Sequence, residues 1–152
     1  MKKMRRILVF SILLILLTVI FTGCAQAKAT AVATSPATIT QSTGVPTIAV
    51  ADADKLIQAN KNNSGFVLLD VRTPDEFNGG HIAGAIDIDY YAADFNVNIG
   101  KLDKNKQYLV YCRTGIRGAA SVQIMIDLGF TRTQNMAGGI TEWMQEGYPT
   151  VK

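Results

Sequence analysis

The sequence has few of the residues that build metal sites and disulfide frameworks. Among its 152 residues are two cysteines, Cys24 and Cys112, and one histidine, His81. Their spacing matches neither a CxxC nor an HExxH pattern, so we expect no protein-bound metal and no cofactor. A Cys24–Cys112 disulfide stays open as an alternative, although neither cysteine lies in the short-spaced framework of small secreted domains.

Acidic residues are absent from the first third of the chain. Four basic residues, Lys2, Lys3, Arg5 and Arg6, precede an uncharged run from Ile7 to Phe21. The net charge of +3 comes from these four, because the remainder holds 11 basic and 12 acidic residues. That remainder lacks the excess of Lys and Arg by which proteins bind phosphate backbones, so we expect no nucleic-acid partner.

A basic start, an apolar run and small residues are typical of a secretory signal. The segment Phe21-Thr22-Gly23-Cys24 resembles a bacterial lipobox, which implies removal of residues 1–23 as a signal peptide. Cys24 would then be lipidated and would anchor an exported protein to a cell membrane on its extracytoplasmic side. Two alternatives stay open: an uncleaved span over Ile7–Ala27, or cleavage after Ala27 that releases a soluble protein.

Residues 24–46 are rich in Ala, Thr, Ser and Gln, with Lys28 as their only charge and no aromatic residue. Such a composition buries too little apolar surface to offset the entropy lost on ordering. We therefore expect a flexible tether over residues 24–46. The remaining residues, 47–152, are enough for one folded domain.

The domain sequence alternates short apolar runs with helix-like segments, which predicts an α/β fold with a mainly parallel central sheet flanked by helices. Strands are predicted at Phe66–Val71 and Tyr108–Tyr111, because the continuous apolar runs Phe66–Leu69 and Tyr108–Tyr111 are typical of strands buried on both faces. Further strands are predicted at Thr47–Val50, Ala85–Ile88 and Arg132–Asn135.

Four helices are predicted between these strands. Thr73-Pro74-Asp75-Glu76 has the pattern of a capping box with proline at the first helical position, so a short helix should follow. Gly118–Leu128 is mostly apolar, and Gly129 stands where a helix-ending glycine belongs. Ile140–Glu146 and Asp52–Asn60 are the other candidates.

Cys112 directly follows a predicted buried strand, and Arg113-Thr114-Gly115-Ile116-Arg117 leads from it into a helix. Ligands of α/β sheets bind at the carboxyl ends of strands, where loop amides and helix amino ends can surround an anion. The helix end and two guanidinium groups would favour the thiolate form of Cys112. The alternative is that Cys112 is merely a small buried residue, but the glycine and arginines around it favour a nucleophile.

Three motifs together carry a family resemblance. The first motif resembles the amino-terminal rhodanese signature and consists of Asp70-Val71-Arg72, Glu76-Phe77, Gly80-His81-Ile82 and Gly84-Ala85. The second motif, Cys112-Arg113-Thr114-Gly115 with Arg117 and Gly118, is similar to the rhodanese active-site loop. The third, Gly138-Gly139 with Trp143, is similar to the closing motif of the family. The resemblance covers about Thr47–Val151 and implies the three-layer rhodanese fold.

The resemblance also implies an activity and roles for these residues. Cys112 would take a sulfane sulfur from a small anionic donor such as thiosulfate, hold it as a persulfide, and pass it to cyanide or a thiol. The donor would bind the residues Arg113, Thr114, Gly115, Ile116, Arg117 and Gly118, with Arg117 ahead of Arg113. Asp70 and Arg72 would support the site as a buried ion pair or cap, and His81 as a hydrogen-bonded neighbour rather than a base.

Two other functions remain open at this stage. One is a sulfur carrier or partner-binding module with little turnover, which would exchange sulfur with a protein donor or acceptor. The other is a cysteine-dependent phosphatase, a class with five residues between cysteine and arginine. Only four residues separate Cys112 from Arg117, so the cradle should suit sulfur better than a phosphoryl group.

Overall fold

A computed structural model describes residues 44–152 of the protein. The signal peptide, the lipidated Cys24 and most of the tether predicted above lie outside these residues. The described part contains five strands and five helices. In chain order these are β1 (Thr47–Ile48), α1 (Val50–Ala59), β2 (Phe66–Asp70), α2 (Pro74–Gly79), β3 (Ile86–Asp87), α3 (Phe95–Gly100), β4 (Gln107–Tyr111), α4 (Ile116–Asp127), β5 (Thr133–Met136) and α5 (Gly139–Gln145).

The strands form one sheet in the order β1-β5-β4-β2-β3, and every pair of neighbouring strands is parallel. The predicted α/β fold with a mainly parallel sheet is therefore confirmed. All strands end at the same edge, with β4 in the centre. From β2 the chain moves to one side of the sheet and from β4 to the other, and ligand sites of open α/β sheets form at such a switch point.

Side chains of the central strand alternate between two hydrophobic clusters. Tyr108, Val110 and Cys112 pack on one face against residues of α3 and α4. Leu109 and Tyr111 pack on the other face against residues of α1 and α5. The domain is thus built of three layers, and Cys112 lies on the side of the sheet that α4 covers.

One helix was not predicted. The α3 segment Phe95-Asn96-Val97-Asn98-Ile99-Gly100 alternates apolar and polar residues with a period of two, and its Val, Ile and Asn residues are weak helix formers. Its cap residue Asp94 makes no side-chain cap hydrogen bond. Phe95 and Ile99, one helical turn apart, are nevertheless buried against α4, so tertiary packing overrides the local pattern.

Several predicted boundaries were wrong by one or two residues. Val50 belongs to α1 rather than β1, and α4 begins at Ile116 rather than Gly118 because Gly115, at φ 90°, caps the helix. The packed domain also begins earlier than residue 47. Val45 is buried in the cluster beneath α4, and the Pro46 carbonyl accepts a hydrogen bond of 2.8 Å from the Asn135 amide.

Candidate active site

Cys112 occupies the first position after the central strand β4 and is only 1% exposed. Its Sγ accepts a hydrogen bond from the Gly115 amide at 3.2 Å. Gly115 can direct its amide back to the sulfur because its φ of 90° lies in the left-handed region, which residues with a side chain rarely adopt. A Cβ there would also lie 3.2 Å from Met136 O and Gly138 N. The dipole of the Gly115 amide therefore points at the sulfur of Cys112.

The first residues of α5 hold the Cys112 loop from behind. The Ile140 amide donates to the Cys112 carbonyl at 2.8 Å, and the Thr141 amide donates to the Arg113 carbonyl at 3.0 Å. This approach needs Gly139, because a Cβ at that position would collide with the Cys112 carbonyl oxygen. The two carbonyls therefore point toward α5.

Arg117 lies in the first turn of α4 and pairs with Glu76 of α2. Its Nη1 and Nη2 donate to Glu76 Oε2 and Oε1, both at 2.9 Å, and its Cζ lies 5.4 Å from the centre of the Tyr91 ring. The hydrogen bonds from Arg117 lower the pKa of Glu76 to about 2, and Glu76 raises the pKa of Arg117. The arginine predicted to attract the donor is thus already paired with a carboxylate.

A cavity of about 450 Å³ opens beside the Cys112 loop. It is lined by Glu76, Tyr91, Arg113, Thr114, Ile116 and Arg117. Cys112 is not among the lining residues, and its side chain is buried next to them in the chain. Four of the residues predicted to bind a donor therefore share this cavity, while Gly115 contacts the thiol itself.

Gly118, which was also predicted to bind the donor, is not among the residues that line this cavity. It is buried in α4, where a Cβ would collide with the Asn135 side-chain oxygen and lie 3.6 Å from the Tyr111 Cα. Its function is to let α4 approach β4 and β5 closely. This glycine therefore shapes the packing of α4 on the sheet beneath the site.

A model of the rhodanese-like domain matches residues 50–146 of the chain. The chain belongs to the rhodanese-like family. It is similar to a sulfurtransferase of Allochromatium vinosum, with 28% identity over 100 residues that cover 66% of this chain and 92% of that protein. It is also similar to the chloroplastic thiosulfate sulfurtransferase 16 of Arabidopsis thaliana, with 32% identity over 101 residues that cover 57% and 81% of the two chains.

Solved structures show the same relationship. The crystal structure of a rhodanese-related protein from Thermoplasma volcanium matches this model with a TM-score of 0.57 and 34% identity. The match covers 69% of this chain and 96% of that chain. Fold, family model and relatives together support a rhodanese-type enzyme with sulfurtransferase relatives.

Asp70 and Arg72 form a buried ion pair at the end of β2 of the rhodanese domain. The Arg72 Nη2 donates to Asp70 Oδ2 at 2.7 Å and to the Gly80 carbonyl at 2.8 Å, while the Arg72 amide donates to Asp70 Oδ1 at 3.0 Å. The pair therefore joins β2 to the segment after α2. It holds the end of α2, the helix that carries Glu76, against β2.

His81 is bound to α2 and to the carboxyl end of the rhodanese domain. Its Nδ1 lies 3.1 Å from the Phe77 carbonyl oxygen, and its ring stacks on Phe77 with centroids 3.8 Å apart. Its backbone exchanges two hydrogen bonds of 2.8 Å with Val151. These contacts fix the position of α2 and give His81 a structural place.

Sequence reasoning did not place Glu76 and Tyr91 in the site. Glu76 was assigned to the amino-terminal signature and to the capping box of α2, which it does form with Thr73, but not to the donor site. Its second role depends on a contact 41 positions along the chain, for which the capping pattern carries no signal.

Over residues 44–152 no group of His, Cys, Asp and Glu side chains is arranged to hold a metal, and no helix is long and apolar enough to cross a membrane.

Proposed function

We propose that this protein moves a sulfane sulfur from an anionic donor such as thiosulfate to a nucleophilic acceptor, a thiol or cyanide, through a persulfide on Cys112. The observation that carries this proposal is the hydrogen bond from the Gly115 amide to Cys112 Sγ at the start of α4. An amide dipole and a helix amino end both stabilise negative charge on sulfur. Sulfurtransferase relatives at 28% and 32% identity add support.

The proposed reaction has two displacement steps. In the first, the Cys112 thiolate attacks the outer sulfur of thiosulfate. A new S–S bond forms to Sγ, the S–S bond of the donor breaks, and sulfite leaves with the bonding electron pair. In the second, the acceptor attacks the outer sulfur of the persulfide, and the bonding pair returns to Cys112 as a thiolate. Preorganised donors such as the Gly115 amide stabilise the sulfur anions of both steps.

The test is sulfur loading of the purified full-length chain. After incubation with thiosulfate, mass spectrometry of the peptide that contains Cys112 should show the added mass of one sulfur atom, and cyanide should remove it. Cys112→Ser should abolish the gain, whereas the matched variant Cys24→Ser should retain it. Loading that persists in Cys112→Ser would assign the sulfur to another group and reject the proposal.

Two readouts separate this function from the alternatives. A sulfur carrier would load but would turn over slowly with every small acceptor, so steady-state rates with cyanide and thiols identify an enzyme. A phosphatase would hydrolyse aryl phosphates. The pairing of Arg117 with Glu76 disfavours that activity, because an arginine bound to a carboxylate is not free to hold a phosphoryl group.

We also propose that the chain is exported and anchored to a membrane through lipid on Cys24. The support is sequence alone: a basic start, the uncharged run Ile7–Phe21 and the lipobox-like Phe21-Thr22-Gly23-Cys24. Several acyl chains on one cysteine would give stable attachment, since each buried methylene contributes about 0.8 kcal/mol. The rhodanese domain would then act on sulfur compounds outside the cytoplasm.

A further inference from the structure

Two of the three charged side chains that line the cavity beside Cys112 neutralise each other. Glu76 and Arg117 form a two-pronged ion pair with both N–O distances at 2.9 Å. The Glu76 Oε2 also accepts hydrogen bonds from the Thr73 amide at 3.1 Å and the Thr73 hydroxyl at 3.2 Å. A carboxylate held by so many donors has little freedom to release the arginine. The pair therefore contributes almost no net charge to the cavity.

Arg113 is the remaining cation of the cavity. It is exposed, lines the cavity, and forms no salt bridge within residues 44–152. With Glu76 and Arg117 paired, the three charged side chains of the lining sum to a single positive charge. A donor with one negative charge is matched by this site, whereas a dianion such as thiosulfate keeps one charge uncompensated.

The rim of the cavity is apolar and the cavity is larger than an inorganic donor requires. Tyr91 and Ile116 are 69% and 77% exposed, the highest values among the large hydrophobic residues of the described chain, and both line the cavity. Its volume of about 450 Å³ falls in the range of sites for organic ligands, roughly 300–1,000 Å³. Two exposed apolar side chains beside such a space fit the organic part of a ligand.

We propose that the cavity selects a singly charged organic sulfane-sulfur donor, with Glu76 as the residue that sets this preference by neutralising Arg117. Arg113 binds the negative charge of the donor, and Tyr91 and Ile116 contact its organic part. Organic persulfides and organic thiosulfonates are the donors with this chemistry. This assignment rests on the proposed function and refines its donor.

The chemical step stays balanced with such donors. The Cys112 thiolate attacks the terminal sulfur of R–S–S⁻ or R–SO₂–S⁻, and a bond forms between that sulfur and Sγ. The bond between the terminal sulfur and the rest of the donor breaks, and the electron pair leaves with the thiolate R–S⁻ or the sulfinate R–SO₂⁻. One negative charge enters with the donor and one leaves with the product, so the charge of the cavity contents is unchanged.

The charge preference is tested by Glu76→Gln on the full-length chain with thiosulfate and methanethiosulfonate as donors. Glutamine still serves in a capping box, so α2 keeps its start. Freed from the carboxylate, Arg117 should raise kcat/KM about threefold for the monoanion and about tenfold for the dianion, because Coulomb energy scales with the product of the charges. Comparing each variant with wild type for the same donor cancels the intrinsic reactivity of the donors.

Two control variants test whether the rise in kcat/KM comes from breaking the Glu76–Arg117 ion pair. Asp75→Asn removes an exposed carboxylate from the same turn of α2 that does not line the cavity, and it should leave the ratio of the two donors unchanged. In the double variant Glu76→Gln with Arg117→Gln the gain should disappear. A Glu76→Gln variant that affects both donors equally, or that loses activity with both, overturns the proposed role of Glu76.

The rim is tested with benzenethiosulfonate against methanethiosulfonate. Ile116→Ala should lower kcat/KM for the aromatic donor by roughly fivefold and for the methyl donor by less, because a phenyl group loses more apolar contact than a methyl group. Val97→Ala shortens an exposed side chain of α3 outside the cavity and should change neither. An equal change in kcat/KM for both donors in Ile116→Ala contradicts the proposed contact between Ile116 and the organic part of the donor. A wild-type chain that gains no sulfur on Cys112 from any donor rejects the proposed function as well.

Discussion

At the scale of single residues, Asp87 is the carboxylate whose surroundings oppose its charge most clearly. It ends β3, beside Asp70 in the neighbouring strand, and its Oδ1 is buried with no hydrogen-bond partner in the part of the chain that the structure describes. Burial, and then the negative charges of Asp70 and Asp89, raise the pKa of Asp87 to about 6. The nearby Arg72 offsets this effect only in part, because it is already paired with Asp70.

Asp87→Asn should stabilise the protein at neutral pH but not in acid. A folded-state pKa of about 6 lies above the unfolded value near 4, so this group is most favourable below about pH 4 and becomes destabilising as pH rises to about 6. We expect the free energy of unfolding to rise by about 1–2 kcal/mol at pH 7.5, and by almost nothing at pH 4. Urea unfolding at several pH values measures this difference.

The matched control for Asp87 is Asp94→Asn, because Asp94 is exposed and makes no side-chain cap hydrogen bond. Its effect should be small at every pH. If Asp87→Asn changed stability by the same amount at pH 4 and pH 7.5, its carboxyl would not titrate in the folded state as the structure indicates.

At the scale of elements, the short helix α5 determines the shape of the loop around Cys112. Its first residues supply the amides that bind the Cys112 and Arg113 carbonyls, and Gly139 at φ 57° makes this contact geometrically feasible. Trp143 of the same helix is buried and donates to the Pro149 carbonyl at 2.9 Å, which attaches α5 to the end of the domain. The loop conformation is thus imposed by an element that begins 24 positions after Gly115.

Gly139→Ala should both destabilise the protein and slow sulfur loading. The new Cβ would collide with the Cys112 carbonyl oxygen and lie 2.7 Å from the Arg113 carbonyl oxygen. The φ of residue 139 is also positive, a conformation that alanine rarely adopts. A residue forced into this region costs about 1–3 kcal/mol, and the loop must move in addition. Urea unfolding and the rate of persulfide formation on Cys112 measure the two effects.

Gly147→Ala separates strain from loop displacement. Gly147 has φ 83° with open space around its Cβ position, so alanine there bears only the backbone cost of about 1 kcal/mol. Its sulfur loading should equal that of wild type. Equal loading in Gly139→Ala would show that α5 does not control the loop.

At the scale of the whole molecule, the proposed organisation separates chemistry from attachment. The contacts of Cys112 lie within residues 44–152, whereas the proposed lipid site is Cys24. The family match covers residues 50–146 and does not include the amino-terminal segment. Location and activity should therefore respond to different substitutions.

Cys24→Ala should release the domain from membranes without loss of chemistry. In a bacterial host fed a labelled fatty acid, the wild-type chain should carry label and sediment with membranes, while Cys24→Ala should carry none. Cys112→Ser is the matched control and should keep the label. An unlabelled wild-type chain in the membrane fraction would favour the uncleaved span, and an unlabelled soluble chain would favour cleavage after Ala27.

The amino-acid sequence by itself determined most of the elements and the family. Continuous apolar runs fixed the central strands β2 and β4, the Thr73–Glu76 capping box fixed the start of α2, and the order of three motifs indicated the family and Cys112. These signals are local, since hydrophobic period, cap chemistry and motif spacing act within a few residues. The strand order did not follow from them, because pairing depends on contacts between distant segments.

Only the tertiary structure decided which of the two loop arginines is paired with a carboxylate and which residues surround the thiol. Arg113 and Arg117 both lie within five positions of Cys112 and two positions from Gly115, so the local sequence does not show which of them is paired. The fold distinguishes them by bringing Glu76 from α2 against Arg117 and leaving Arg113 in solvent. Electrostatic pairing depends on distance in space, so a carboxylate 41 positions away can determine the charge of a site that the local sequence only outlines.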